Sequence, residues 1–227
     1  MKDEWKQMVA EFIGTFALCF IGAGAVCTNQ ATNGGLGLLG VALAHGTVLA
    51  VMISALGHIS GGHFNPAVTL SVLAANKISA NRAGSYVVSQ LAGAVAAGYL
   101  LTCVLPTSAW EAARLGTPNL APGISLLQGT LIEVVLTFFL VLTVFGTAVD
   151  PKGSWNAIAG FGIGTVLVFD ILVGGPFTGA AMNPARAFGP ALVFGQWDNH
   201  LAYWAGPIIG GVFAGLVYTS VFLGKKR

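Results

Sequence analysis

Six long apolar stretches, each of about 20 residues, dominate this chain, and two further stretches stop at roughly half that length. The long ones run approximately from Val9 to Thr28, Leu38 to Gly57, Gly84 to Leu105, Leu126 to Val149, Trp155 to Val173 and Ala202 to Leu223. Hydrocarbon about 30 Å thick takes ~20 helical residues to cross, so each predicts a transmembrane helix. The short ones, Pro66 to Ala75 and Pro184 to Phe194, rise only ~1.5 Å per residue and reach about half way. Irregular backbone at that depth survives only where protein or a water-filled cavity receives it. The two short stretches are therefore expected to be re-entrant half-helices.

Composition agrees with a membrane chain: 55% of residues are hydrophobic and 8% charged, against about 25% charged in an ordinary soluble domain. A net charge of +2 spread over scattered basic residues gives no reason to expect a nucleic-acid partner. Cys19, Cys27 and Cys103 all lie in apolar runs with no CxxC pair, which reads as small buried hydrophobes. No metal or cofactor is expected, and no nucleophile or phosphate-loop motif suggests an enzyme. The mixed charge of MKDEWKQ before a full-length apolar run reads as the start of a first span rather than a cleaved signal.

The basic residues orient the chain. Lys2, Lys6, Lys77, Arg82, Lys152, Lys225, Lys226 and Arg227 fall on one side if there are six crossings, whereas Arg114 and Arg186 fall elsewhere. By the positive-inside rule both termini are cytoplasmic. A plasma or cell membrane is expected in preference to an organellar one.

The two halves repeat one another. Glu11-Phe-Ile-Gly-Thr15 in the first span matches Glu133-Val-Val-Leu-Thr137 in the fourth, and SGGHFNPAVT in the first half matches TGAAMNPARA in the second. Each half is ordered as a Glu-bearing span, a second span, a half-helix and a third span. Three crossings are an odd number, so the second copy is inverted relative to the first, a known way to build a transport path at the repeat interface. The expected fold is all-α: a single domain, residues 1–227, of six transmembrane helices plus two re-entrant half-helices. The repeats span about 8–105 and 126–223 and are joined by loop 106–125.

Inversion brings the N-termini of the half-helices together near the midplane. Asn65 and Asn183 are capping residues whose side-chain oxygen accepts a backbone N–H of their own helix, leaving the NH2 group as a donor. Pro66 and Pro184 suit the first helical position, where no N–H is needed, and Ala67 and Ala185 allow close approach. Two amide donors and two half-helix dipoles would then face a narrow lumen that accepts neutral hydrogen-bonding molecules and repels cations. Glu11 and Glu133 are read as acceptors for backbone N–H groups of the non-helical loops leading to each half-helix. A proton-coupled role for these acids is the alternative.

These motifs, HFNPAVT, MNPARAFGP, the paired Glu-x-x-x-Thr and GHISGG, resemble the aquaporin or major intrinsic protein family over essentially the whole chain. The resemblance implies a six-helix bundle with two half-helices, a pore in each subunit and a homotetramer. It implies an outer constriction, the selectivity filter, at Arg186, His45, Ile171 and Ala180. The backbone carbonyls of Gly61, Gly62 and His63 on the inner side, and of Thr178, Gly179 and Ala180 outside, would line the pore. Ala187 stands where the glycerol-conducting branch resembles an Asp, so the look is of a water channel; Ile171 replaces the His of strict water channels. His, Ile, Ala and Arg together resemble the plant vacuolar type and its ammonia-conducting relatives. Passive water conduction with proton and ion exclusion is expected, with ammonia and hydrogen peroxide as candidate further solutes. A glycerol or small-polyol facilitator, an ion-coupled transporter and a closed junction-forming protein are the alternatives. Asp170, beside Ile171, has no assigned role.

Overall fold

A computed structural model of the chain describes residues 4–153 and 158–223. The expected start of the fifth span at Trp155 and the charges at Lys2, Lys225, Lys226 and Arg227 lie outside these residues. The helices are α1 (Glu4–Ala31), α2 (Gly37–Ser60), α3 (Pro66–Ala74), α4 (Ala80–Val104), a short α5 (Thr107–Ala112), α6 (Leu126–Val144), α7 (Ala159–Thr178), α8 (Pro184–Phe194) and α9 (Ala202–Val217). The polypeptide continues past α6 and α9 in π-helical turns, Phe145–Val149 and Tyr218–Leu223. Counting those turns, six helices among the described residues are long and apolar enough to cross a membrane. The protein is an integral, multi-pass membrane protein, with α3 and α8 as its half-helices.

Two elements differ from the sequence expectation. α7 reaches Thr178 instead of stopping at Val173, carrying Pro176 within its last turns until Gly179, at φ 81°, turns the chain out. A proline inside a membrane helix is tolerated where neighbouring helices satisfy the freed backbone group. Loop 106–125 contains α5 and a 3-10 turn, Arg114–Gly116, too short and too polar to register as a span.

The helices pack as an inverted pair of repeats. α1 lies on α2 and α4, as α6 lies on α7 and α9, and α2 crosses α7 at the centre. Each half-helix packs mainly on the other repeat: α3 against α9, and α8 against α4. The repeats are thereby interlocked, and each completes the other's pore.

Without a hydrophobic drive between helices in lipid, close backbone approach at small residues holds such a bundle together. A Cβ on Gly93 of α4 would collide with the Phe12 carbonyl of α1, and one on Gly210 of α9 with the Val134 carbonyl of α6. These are the same crossing in the two repeats. The obstacle is backbone, which cannot swing aside as a side chain can. Gly210→Leu is therefore expected to lower the thermal unfolding midpoint in detergent by many degrees, whereas Gly84→Leu, where a Cβ would meet nothing within 4 Å, leaves it nearly unchanged. Equal midpoints would refute the close-packing account.

Candidate functional site: a narrow lumen between two vestibules

α2 ends at Ser60 because Gly61 takes φ 94°, and α7 ends at Thr178 because Gly179 takes φ 81°. Each is a left-handed cap that an L side chain would resist. Two short non-helical loops follow, and buried carboxylates satisfy them. Glu11 accepts from Ser60 Oγ (2.6 Å), His63 N (3.0 Å), Phe64 N (2.7 Å) and Gln90 Nε2 (2.7 Å). Glu133 accepts from Thr178 Oγ1 (2.7 Å), Ala181 N (2.9 Å) and Met182 N (2.7 Å). Both glutamates are fully buried. Thr15 and Thr137, a turn further on, have hydroxyls with no partner among the described residues, so the Glu-x-x-x-Thr repeat acts through its glutamates.

The half-helices start as capped N-termini. Asn65 Oδ1 accepts Ala67 N at 2.8 Å, and Asn183 Oδ1 accepts Ala185 N at 3.0 Å. The amide nitrogens do more than face the lumen. Asn65 Nδ2 donates to the Met182 carbonyl (2.8 Å) and Asn183 Nδ2 to the Phe64 carbonyl (2.9 Å), so each cap is tied to the opposite repeat. Each NH2 keeps one further hydrogen, and both asparagines border the lumen. The accepting carbonyls are aimed by Phe64 at φ 48° and Met182 at φ 49°, a left-handed state that costs ~1–2 kcal/mol per non-glycine residue. These two residues carry no sequence signal beyond preceding an Asn-Pro.

Leu18, Leu49, Val68, Leu140, Ile163 and Leu167 give the lumen an otherwise apolar wall. The space in it open to the centre of a water is about 20 Å³, against about 290 Å³ in the outer vestibule and about 370 Å³ in the inner one. Since one water needs roughly 10–15 Å³ by this measure, the lumen has room for waters one at a time and for nothing wider.

His45 and Arg186 border both the lumen and the outer vestibule, so they partition the two. Ile171 lies on the vestibule side and Ala180 on the lumen side. Arg186 donates from Nη1 to the Gly116 carbonyl at 2.8 Å, and its Nη2 stands 3.3 Å from His45 Nε2. His45 Nδ1 is 2.9 Å from the Val41 carbonyl. A carbonyl has no proton, so Nδ1 must donate, which leaves Nε2 a lone pair for Arg186. The histidine is therefore neutral, and the single charge of the partition is the guanidinium. Gly22 makes this possible, because a Cβ there would strike the His45 ring.

Gly61, Gly62 and His63 line the inner side of the path. Gly179 borders the outer vestibule. The Thr178 carbonyl accepts the Tyr203 hydroxyl at 2.8 Å, just as Ser60 O accepts Tyr86 at 2.8 Å, which leaves it one lone pair. Tyr203 on α9 and Tyr86 on α4 anchor the two helix ends, a role that no local pattern marks. Gly116 is equally unmarked, since a backbone carbonyl in a loop announces nothing. Asp170 is buried, and its Oδ2 meets no partner among the described residues. No group of three or more His, Cys, Asp or Glu that could hold a metal occurs among the described residues.

Residues 1–218 match the family described as Major intrinsic protein. Among curated proteins the chain is similar to Aquaporin TIP4-4 of Zea mays, 46% identical, covering 97% of this chain and 88% of that one. It is also similar to Probable aquaporin TIP3-2 of Arabidopsis thaliana, 46% identical, covering 97% and 85%. Among solved structures it resembles the aquaglyceroporin from Plasmodium falciparum with a TM-score of 0.85 over 96% of each chain, at 22% identity. That last likeness speaks for the fold alone.

Proposed function

The chain belongs to the major intrinsic protein family, and on that premise we propose that it conducts water passively through the lumen of each subunit and excludes protons and ions. It is a channel and not an enzyme. One observation carries the reading: Asn65 and Asn183, tied across the repeats, meet in a narrow apolar lumen beneath the Arg186–His45 partition. A water passing the asparagines accepts from their free N–H groups, while Leu18, Leu49, Val68, Leu140, Ile163 and Leu167 give it no competing hydrogen bond. A cation meets the guanidinium and the positive ends of two half-helices.

His45, Ile171, Ala180 and Arg186 form the selectivity filter in this reading. The similarity to relatives named as aquaporins supports water over glycerol. Cytoplasmic termini are supported by the basic residues, and a homotetramer by family habit. Relatives with the TIP designation lend the expected plasma or cell membrane no support, and that preference is dropped.

Osmotic shrinkage of proteoliposomes followed by stopped-flow light scattering tests the reading. Water permeability is expected to rise well above that of empty vesicles; no rise would overturn it. Ammonia and hydrogen peroxide are proposed as further solutes because Ile171 offers the filter no hydrogen-bonding group and Ala180 adds no bulk to it. Ile171→His, which puts a polar, hydrogen-bonding ring on the outer side, is expected to cut ammonia flux several-fold while water flux persists. Unchanged ammonia flux would remove Ile171 from the filter.

A further inference from the structure

The inner end of the lumen is marked by His63, which borders both the lumen and the inner vestibule. Its main chain belongs to the loop held by Glu11; its imidazole has a separate set of partners. Nδ1 lies 3.0 Å from Thr69 Oγ1, and the ring stands edge-on to Tyr86 with centroids 5.3 Å apart. Nε2 has no hydrogen-bond partner among the described residues and is not closed off from the cavity. Gly61 keeps it uncovered, since a side chain there would begin 3.3 Å from Nε2.

Which ring nitrogen carries the proton follows from the hydroxyl of Thr69. Gln90 Nε2 is a donor only, and it gives one hydrogen to Glu11 Oε2 (2.7 Å) and the other to Thr69 Oγ1 (2.9 Å). Thr69 has a single proton and directs it to the Asn65 carbonyl at 3.1 Å, the back-bond a helical threonine habitually makes. With its proton on that carbonyl the hydroxyl has only lone pairs left for Nδ1, 3.0 Å away, and the tautomer that matches this arrangement is the one protonated on Nδ1. The second repeat has no counterpart to this arrangement. Ala187 follows Arg186 where Thr69 follows Val68, and α9 carries Pro207, three residues before Gly210, where α4 carries Gln90, three before Gly93.

We infer that Thr69 and Gln90 are positioning residues that hold His63 in its Nδ1–H form, so that the inner end of the lumen offers a side-chain hydrogen-bond acceptor, Nε2, to solutes that bring O–H or N–H groups. The outer partition presents a donor, Arg186, and the midpoint presents the asparagine amides. The acceptor His45 might have supplied is already taken by Arg186. His63 Nε2 thus accepts one hydrogen of a water whose oxygen has just been held at Asn65 and Asn183. This rests on the water-channel reading above and assigns His63 the specificity at its inner end.

The test uses full-length protein labelled with 15N-histidine and reconstituted in lipid, since 15N shifts separate a protonated from a bare ring nitrogen. The chain has only 4 histidines, and His63→Asn identifies the relevant signals. At pH 7.5 His63 is expected to show a protonated Nδ1 and a bare Nε2. Thr69→Val is expected to give a mixture of tautomers and several-fold lower water permeability, and Thr69→Ser to restore both. A wild-type ring protonated on Nε2, alone or together with Nδ1, overturns the inference, and that spectrum decides even if Thr69→Val does not fold. A shifted tautomer with unchanged water permeability overturns the specificity role. Wild-type protein with the expected tautomer but no water flux would instead overturn the water-channel reading.

Discussion

Glu133→Leu is expected to abolish the folded channel, not merely to slow it. The leucine leaves Ala181 N, Met182 N and the Thr178 hydroxyl without the acceptor they share, in a fully buried place that water does not reach. Each abandoned donor costs roughly 1–3 kcal/mol, so the sum rivals the ~5–15 kcal/mol that holds an ordinary domain folded. Met182 also sits in a left-handed conformation that only surrounding bonds enforce, and its carbonyl anchors Asn65. Loss of the carboxylate therefore reaches both half-helices. Glu133→Gln keeps one acceptor oxygen and turns an NH2 toward the remaining donors, so it is expected to fold with a lowered midpoint. The monodisperse fraction after purification and the thermal midpoint measure both effects. A Glu133→Leu protein with wild-type yield and midpoint would show that the loop is held by other means, and a proton-coupled role for the acid would then come back into consideration.

Arg186→Val separates folding from selectivity. Arg186 is hydrogen-bonded to a carbonyl and a neutral imidazole, so its removal breaks no hydrogen bond to a carboxylate. Val68 already occupies the matching place after the first Asn-Pro-Ala, and the half-helix accepts that residue. Water flux is expected to stay within a few-fold of wild type. The proton barrier should fall much further: two like charges ~4 Å apart repel by about 4 kcal/mol at an effective dielectric of about 20. That repulsion corresponds to roughly a thousandfold in a rate, an upper bound because the half-helix dipoles remain. An increase of at least about tenfold in the dissipation of a pH gradient, read with a dye inside the same proteoliposomes, is the expected result. Arg186→Lys keeps the charge but loses the planar two-point hold, so it should keep proton exclusion while admitting larger solutes. Proton leakage unchanged in Arg186→Val would place the barrier elsewhere, with the half-helix ends as the remaining source.

Local patterns were enough to read much of this molecule. Run length separates the six spans from the two half-helices, because the bilayer sets a length that α3 and α8 cannot reach. Asn-Pro fixes each half-helix start through the cap and the missing N–H, and an odd number of crossings per copy forces the inversion. A charge as costly in a membrane as Arg186 declares itself as functional. By itself the sequence thus determined the spans, the doubled half-helices, their meeting point and the charged residue that follows the second Asn-Pro-Ala but not the first.

What holds these parts in register was decided only in three dimensions. The Gly116 carbonyl under Arg186, the Phe64 and Met182 carbonyls that tie the asparagines across the repeats, and the tyrosines behind Ser60 and Thr178 are all distant in sequence from what they bind. A backbone carbonyl is present at every position whatever the side chain, so no residue type marks which one will be used. The proton positions on His45 and His63 depend in turn on such neighbours, because a ring nitrogen donates or accepts according to what faces it. Periodicity and hydropathy are properties of a segment and can be read along it, whereas the polarity of a pore belongs to the groups that several segments turn toward one another.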